Sequence, residues 1–202
     1  MKKLYYNHFI YSSILTVLFL GCSSFNALFL GKPEIRIETI RDDFEDLVIY
    51  RMHGNHLGDS SYPRHYADLN VQKLESPKYG ILYSLIVYFY SSQRLNLISS
   101  FESLVLLIDG ERIGFSHSGF PQYDVHISPS TRYVYNSVTA YYPIELEDLK
   151  RIISAKNVRV KLAGSPTSFE FFLTQDNIKA LSDFFETYCR PEKEGEIHQK
   201  SL

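Results

Sequence analysis

The densest group of side chains able to do chemistry is His53-Gly54-Asn55-His56, followed by Asp59 and His65. Neutral imidazoles with a carboxylate are a normal ligand set for Zn²⁺, and a glycine-containing loop can bring three such groups to one point. His53, His56 and His65 are therefore the candidate metal ligands, with a metal-dependent hydrolase as the chemistry they would support. The same residues also suit a solvated loop, since His53 and His56 lack the helical H-E-x-x-H arrangement and no cysteine stands near them. His117, Asp124 and His126 form a second, looser group.

Gly114-Phe115-Ser116-His117-Ser118-Gly119 imitates the nucleophile elbow G-x-S-x-G. The residue two after Ser116 is Ser118 instead of glycine, and the segment follows a hairpin strand where an elbow would open a helix, so no serine hydrolase is expected. There is no phosphate-cradling glycine loop and no EF-hand spacing. No cofactor is expected and no catalytic residue is assigned. The chain is rich in tyrosine, with 16, and Tyr133, Tyr135 and Tyr141 alternate onto one face of a single strand. Tyrosine offers a large contact area with a wet tip, which makes these three the candidate binding residues. Ordinary cross-strand packing would use them equally well.

Such residues need a scaffold, and composition narrows it. In 202 residues, 45% are hydrophobic and 22% charged, at a formal net charge of −2. That balance excludes a disordered, collagenous or many-pass membrane chain. No run of five basic residues occurs, so no nucleic-acid partner is expected. Aromatic residues at 15%, with many β-branched neighbours, favour strands.

Period-2 alternation predicts strands over 34–40, 47–52, 66–74, 79–90 and 131–142, with a loop by composition over 53–64. The run 79–90 is apolar on both faces, as a strand central to the core would be. Leu104–Ile108 and Glu111–Phe115 flank Asp109-Gly110, a dipeptide suited to the positive φ angles of a two-residue turn. After 142 the period changes. Leu146, Leu149, Ile152 and Ile153 recur at helical spacing, with Asn157 as the expected C-cap. A second hairpin follows, Asn157–Ala163 and Ser168–Leu173 around Gly164-Ser165-Pro166. Thr174 or Asp176 then caps a last helix with Ile178, Leu181, Phe185 and Tyr188 on one face. The sum is a mainly β chain, an antiparallel β-sandwich with two short helices near the C-terminus, α+β being the alternative.

The N-terminus has a charged start at Lys2 and Lys3, then an apolar run from Phe9 to Leu20, and no acidic residue before Glu34. This is the layout of an export signal with its N-terminus inside. Phe19-Leu20-Gly21-Cys22, a small residue followed by Cys at the end of that run, resembles the lipobox of bacterial lipoproteins, in the loose form of spirochaetes. The resemblance implies that Cys22 is acylated and becomes the first residue of the mature chain. Without Lys2 and Lys3, the 21 basic side chains fall to 19 against 23 acidic ones, a net charge of −4. Cys189 is then the lone thiol, and its place near the end of an amphipathic helix points to burial. Apolar character continues from Phe9 to Leu30, long enough for an uncleaved signal anchor, which also exports the domain.

The block Tyr142-Pro143-Ile144, Asp148-Leu149-Lys150-Arg151-Ile152, Ala155-Lys156, Val158-Arg159-Val160-Lys161-Leu162 and Gly164 resembles the helix-then-hairpin end of uncharacterised bacterial β-sandwich lipoproteins. It covers about a quarter of the chain, and no activity comes with it. The expected organisation is a lipoprotein signal peptide (1–21), a lipid-anchored linker (22–33), a β-sandwich domain (34–190) and a disordered polar tail (191–202). The expected role is non-enzymatic, structural or binding, in the cell envelope on the inner or outer membrane. The membrane is the partner through the lipid anchor, and a protein or small ligand is the second. The enzymatic alternative, in that setting, is a metal-dependent envelope hydrolase using the His-rich loop.

Overall fold

The computed structural model describes residues 34–59, 65–97, 102–127, 132 and 134–190. The leader, the linker with Cys22, Tyr133 and the tail beyond Arg190 lie outside the described residues. In chain order the elements are β1 (Arg36–Asp42), β2 (Leu47–His53), β3 (Gly58–Asp59), β4 (His65–Ser76), β5 (Gly80–Ser91), β6 (Asn96–Leu97), β7 (Leu104–Ile108), β8 (Glu111–Phe115), β9 (Ser118–Ile127), β10 (Val134–Ile144), α1 (Leu146–Ser154), β11 (Val158–Ser165), β12 (Ser168–Phe172) and α2 (Gln175–Phe184). A π-helical turn, Phe185–Cys189, continues α2.

These form an antiparallel β-sandwich with two short helices. One sheet has six strands in the order β1-β2-β4-β5-β10-β9, the other runs β3-β12-β11-β7-β8, and β6 pairs with β11. Alternation decides what each strand buries. On β5, Leu85, Val87 and Phe89 enter the core, as do Ala67, Leu69 and Val71 of β4 and Val138, Ala140 and Tyr142 of β10. The second sheet faces them with Leu104 and Leu106, Val160 and Leu162, and Phe169 and Phe171. The π-helical turn after α2 lies against the inner face of β2 and β4. There the Tyr188 ring sits 4.8 Å from that of Tyr50, and Lys73 donates to the Tyr188 carbonyl at 2.6 Å. Among the described residues no helix is long and apolar enough to cross a membrane.

Local chemistry sets the element ends. At the β7–β8 hairpin Asp109 and Gly110 take φ of 47° and 94°, the positive values a mirror-image turn needs. The Asp109 carboxylate also accepts from the backbone N–H of Lys156 and of Asn157, at 3.1 and 2.8 Å, so this turn holds the junction between α1 and β11. Asn157 is therefore not the helix C-cap. The helix ends at Ser154, with Ala155 in the cap position. Thr174, and not Asp176, caps α2 through a capping box with Asn177.

Two further expectations are corrected. The composition of 53–64 reads as loop, yet β2 runs on through His53, Leu57 is 2% exposed, and Gly58–Asp59 adds a short strand to β12. Asn55 explains this order. Its side chain is fully buried and donates to the Leu69 carbonyl at 2.8 Å, fastening the segment alongside β4. The strand β9 was not expected after Phe115. Pro121 interrupts the sequence pattern, but β9 ends the sheet order, and an edge strand tolerates a missing donor on its outer side.

Candidate functional site

The six-stranded sheet turns one face to the core and one outward. Side chains alternating with the core set on β4, β5, β10 and β9 form an aromatic ladder on the outer face. Tyr66 lies directly across from Tyr90 with ring centroids 4.9 Å apart, and Tyr90 stacks on Tyr135 at the same distance with planes 18° apart. Tyr88 flanks Tyr66 at 6.0 Å, and His126 flanks Tyr90 at 6.0 Å. The rings cover one another's faces, which leaves edges and hydroxyls to the outside. Each tyrosine is half-buried.

Two of the ladder hydroxyls hold their protons more firmly than a free tyrosine does. Burial, then the charge and hydrogen bond of Tyr88, raise the Tyr66 pKa well above the ordinary tyrosine value. Burial, then Tyr135 and Tyr88, raise that of Tyr90. Tyr66 and Tyr90 thus present O–H groups that both donate and accept.

Further along the same face, Arg51 reaches from β2 across the sheet. Its Nε donates to Gln72 at 2.9 Å, and its guanidinium sits 5.9 Å from the Tyr141 ring centre. Gln72, Asn70 and Ile86 are buried although they point outward, and the Arg51–Tyr141 pair lies across the same rows. At the hairpin end, register places Ile40, Ile49, Leu74 and Leu82 side by side on four successive strands. The outer face is therefore an aliphatic row, a polar band and a tyrosine ladder, in that order along the strands.

The candidate residues divide across this frame. Tyr135 and Tyr141 share the outer face as expected, while Tyr133 lies outside the described residues. Tyr66, Tyr88 and Tyr90 were missed as a group. Their signal is period-2 spacing within each strand, but joining them to Tyr135 needs the register between strands.

The three candidate metal ligands are not brought together. His53 pairs with Glu38 at 3.1 Å, and His56 pairs with Asp68 at 3.1 Å, both on the outer face. His65 has the opposite parity. It is buried between Phe89 and Phe169 and bonds the Ser91 hydroxyl, so it is a core residue where a solvated loop histidine was expected. Among the described residues, no group of three or more His, Cys, Asp or Glu is placed to hold a metal ion. The second group also separates. His117 is buried against Tyr142 and its Nδ1 is 3.0 Å from the Gly119 carbonyl, whereas His126 bonds the Ser137 hydroxyl at 3.0 Å on the outer face. A carbonyl only accepts, so His117 Nδ1 carries the proton, and its buried Nε2 has no partner among the described residues.

The described residues also form two concavities. A cavity of about 190 Å³ lies under β9 and β10, bounded by Phe89, Leu95, Tyr123 and Val138. An open groove of about 410 Å³ runs between β1 and α2, lined by Ile35, Ile37, Met52 and Ala180. No family model matches the chain, and no curated protein and no solved structure matches it either.

Proposed function

We propose that this chain is an exported, lipid-anchored protein of the cell envelope whose role is binding, with the outer face of the six-stranded sheet as its recognition surface. The anchor reading rests on Phe19-Leu20-Gly21-Cys22 at the end of the apolar leader. The binding reading is carried by the tyrosine ladder. Three tyrosines on three adjacent strands stack, with Tyr88 flanking them, into one half-exposed array, which orders little further on contact and so loses little entropy. A sheet face meant only for solvent alternates to polar residues, and this one carries an aliphatic row and a tyrosine ladder on either side of its polar band.

Tyrosine nitration tests the binding reading. The full-length protein in native membranes is compared with the purified protein in detergent at high dilution. Tyr90 and Tyr135 are expected to be protected in membranes and reactive after dilution. Equal modification in the two states overturns the assignment of this face. The anchor is tested separately, by fatty-acid labelling of Cys22→Ala, in which incorporation should vanish.

A further inference from the structure

We propose that the polar band on the outer face of the six-stranded sheet is an anion site, in which Arg51, Asn70 and Gln72 hold a carboxylate group of the partner that this face binds. This rests on the reading of that face as a recognition surface and names the chemistry of what it recognises.

The three side chains leave only donors unspent. Arg51 gives its Nε–H to the Gln72 carbonyl at 2.9 Å and rests its guanidinium over the Tyr141 ring. Both of its terminal NH₂ groups are uncommitted among the described residues, and a guanidinium has no acceptor. Because Nε can only donate, the Gln72 atom that meets it is the oxygen, and the amide NH₂ is left over. The Asn70 oxygen likewise accepts from the backbone N–H of Asn55 at 3.1 Å, which leaves its NH₂. Neither amide NH₂ has a partner among the described residues. Asn70 is 4% exposed and Gln72 8%, at alternate positions of β4 that share the outer face, so each amide is fixed in place with its donor free. The fully enclosed side-chain atom without a partner, among the described residues, is His117 Nε2 alone, so the two NH₂ groups open outward. Donors this deeply buried are costly to leave unmet, and a ligand that only accepts answers all of them.

Charge on the face points the same way. Its carboxylates are already engaged. Glu38, opposite Arg51 in the β1–β2 register, bonds His53 at 3.1 Å, and Asp68 bonds His56 at 3.1 Å. Asp42 accepts from the backbone N–H groups of Phe44 and Glu45, and Asp124 meets Gln122 at 3.4 Å. Among the described residues neither Arg36 nor Arg51 has an ion-pair partner. The face therefore offers uncompensated positive charge, with Arg51 at the point where the free amides lie. One guanidinium matches the single charge of a carboxylate and its two oxygens, and under-compensates a phosphate dianion. The aliphatic row and the tyrosine ladder flank the band, so a carboxylate seated there has apolar contact on both sides. Arginine and tyrosine in such a setting are the residue types that carry most of an interface's energy.

The test titrates acetate against chloride, at constant ionic strength, into the full-length nitrogen-15-labelled protein in a nonionic detergent. The Arg51 Nε–H signal and the side-chain NH₂ signals of Asn70 and Gln72 should shift together and saturate. Arg51→Gln should weaken acetate at least tenfold, read at the two amides, with the far-ultraviolet dichroism unchanged. Arg51→Lys keeps the charge without the fork and should weaken it less. Arg159→Gln, on the other sheet where Arg159 pairs with Glu170, should leave it as it is. In native membranes Arg51→Gln should expose Tyr90 and Tyr135 to nitration. No saturable shift with acetate, or one that persists in Arg51→Gln, overturns the site while the recognition face stands on its own nitration result. Saturation by inorganic phosphate at a tenfold lower concentration than acetate overturns the carboxylate. Protection of Tyr90 and Tyr135 that survives Arg51→Gln overturns the role of the site in binding the partner. Absence of protection in the unaltered protein overturns the recognition face and the proposal with it.

Discussion

Asn177 is the residue on which the docking of α2 turns, and Asn177→Leu measures how much. Its Nδ2 donates to Asn55 Oδ1 at 2.7 Å and to the His56 carbonyl at 2.8 Å. Its Oδ1 accepts from the Thr174 backbone N–H and from the Thr174 hydroxyl, both at 2.8 Å. Asn177 is 4% exposed and Asn55 is fully buried, so water does not replace these bonds. Leucine of similar volume leaves Asn55 Oδ1 and the His56 carbonyl without their donor, at about 1–3 kcal/mol each. It returns about 1 kcal/mol through apolar burial. The expected loss in urea denaturation is roughly 2–4 kcal/mol. Thr174→Ala removes only the cap hydroxyl and should cost about 1 kcal/mol. Asn55→Leu and the double variant close a cycle whose coupling should exceed about 0.5 kcal/mol, as for partners in one network. If Asn177→Leu costs no more than Thr174→Ala, the amide chain does not hold the helix to the His53–His56 segment, and the reasoning fails.

Histidine substitutions should split by face: His53→Ala, a half-exposed outer position, should change stability by less than about 0.5 kcal/mol, whereas His65→Ala opens a core site between Phe89 and Phe169 and should cost about 2–4 kcal/mol by the same measurement. Asp109→Ala should lose about 2 kcal/mol through both the turn and its bonds to Lys156 and Asn157, while Asp109→Asn, which tolerates the positive φ, should lose less than half of that. Burial pushes the Tyr142 hydroxyl from 10.0 up to about 12, against a smaller opposing effect of Ser103. The folded state therefore holds this proton where the unfolded state has lost it, so stability should fall as pH rises from about 10 to about 12, by up to about 3 kcal/mol at about 1.4 kcal/mol per pH unit. The pH dependence of the denaturation midpoint should flatten in Tyr142→Phe. Burial likewise pushes the Cys189 thiol from 9.0 up to about 11, with Lys73 opposing, so maleimide should label it slowly in the native protein at pH 8 and fast in urea.

Much of the fold was legible because its signals are local. Asp109-Gly110 specifies its hairpin through φ alone, and the boundaries of β7 and β8 coincide with those expected. Leu149 and Ile152 on α1, and Ile178, Leu181 and Phe185 at α2 and the turn beyond it, are buried at the positions their spacing assigns. What was hidden depends on partners distant in sequence. The segment 53–59 is polar and glycine-containing, and its order rests on the bond of Asn55 to Leu69 of β4 and on Asn177, more than a hundred residues away. His65 looks like its neighbours in composition, but the parity of β4 sends it inward. Sequence shows parity only once the strand is known to begin at residue 65 and not after it.

The tyrosine face illustrates the same limit at the level of function. Tyr66, Tyr88, Tyr90 and Tyr135 belong to three strands, and within any one of them one or two tyrosines read as ordinary sheet packing. A recognition surface is a property of rows, and rows run perpendicular to the chain. The register of β4 on β5 pairs Tyr66 with Tyr90, and that of β5 on β10 sets Tyr135 beside them. A slip of one residue in either register would turn the tyrosines on the shifted strand toward the core and bring Leu or Val outward. The core alternation of Leu85, Val87 and Phe89 therefore fixes the outer face as firmly as the inner one. Burial of the inner row is what holds the ladder in place. Phe89→Ala should accordingly disturb more than stability. By loosening β5 between its neighbours it should weaken the Tyr66–Tyr90–Tyr135 stack, visible as a loss of near-ultraviolet tyrosine dichroism at temperatures where the far-ultraviolet signal is intact. Unchanged near-ultraviolet dichroism in a folded Phe89→Ala protein would show that the ladder holds itself together.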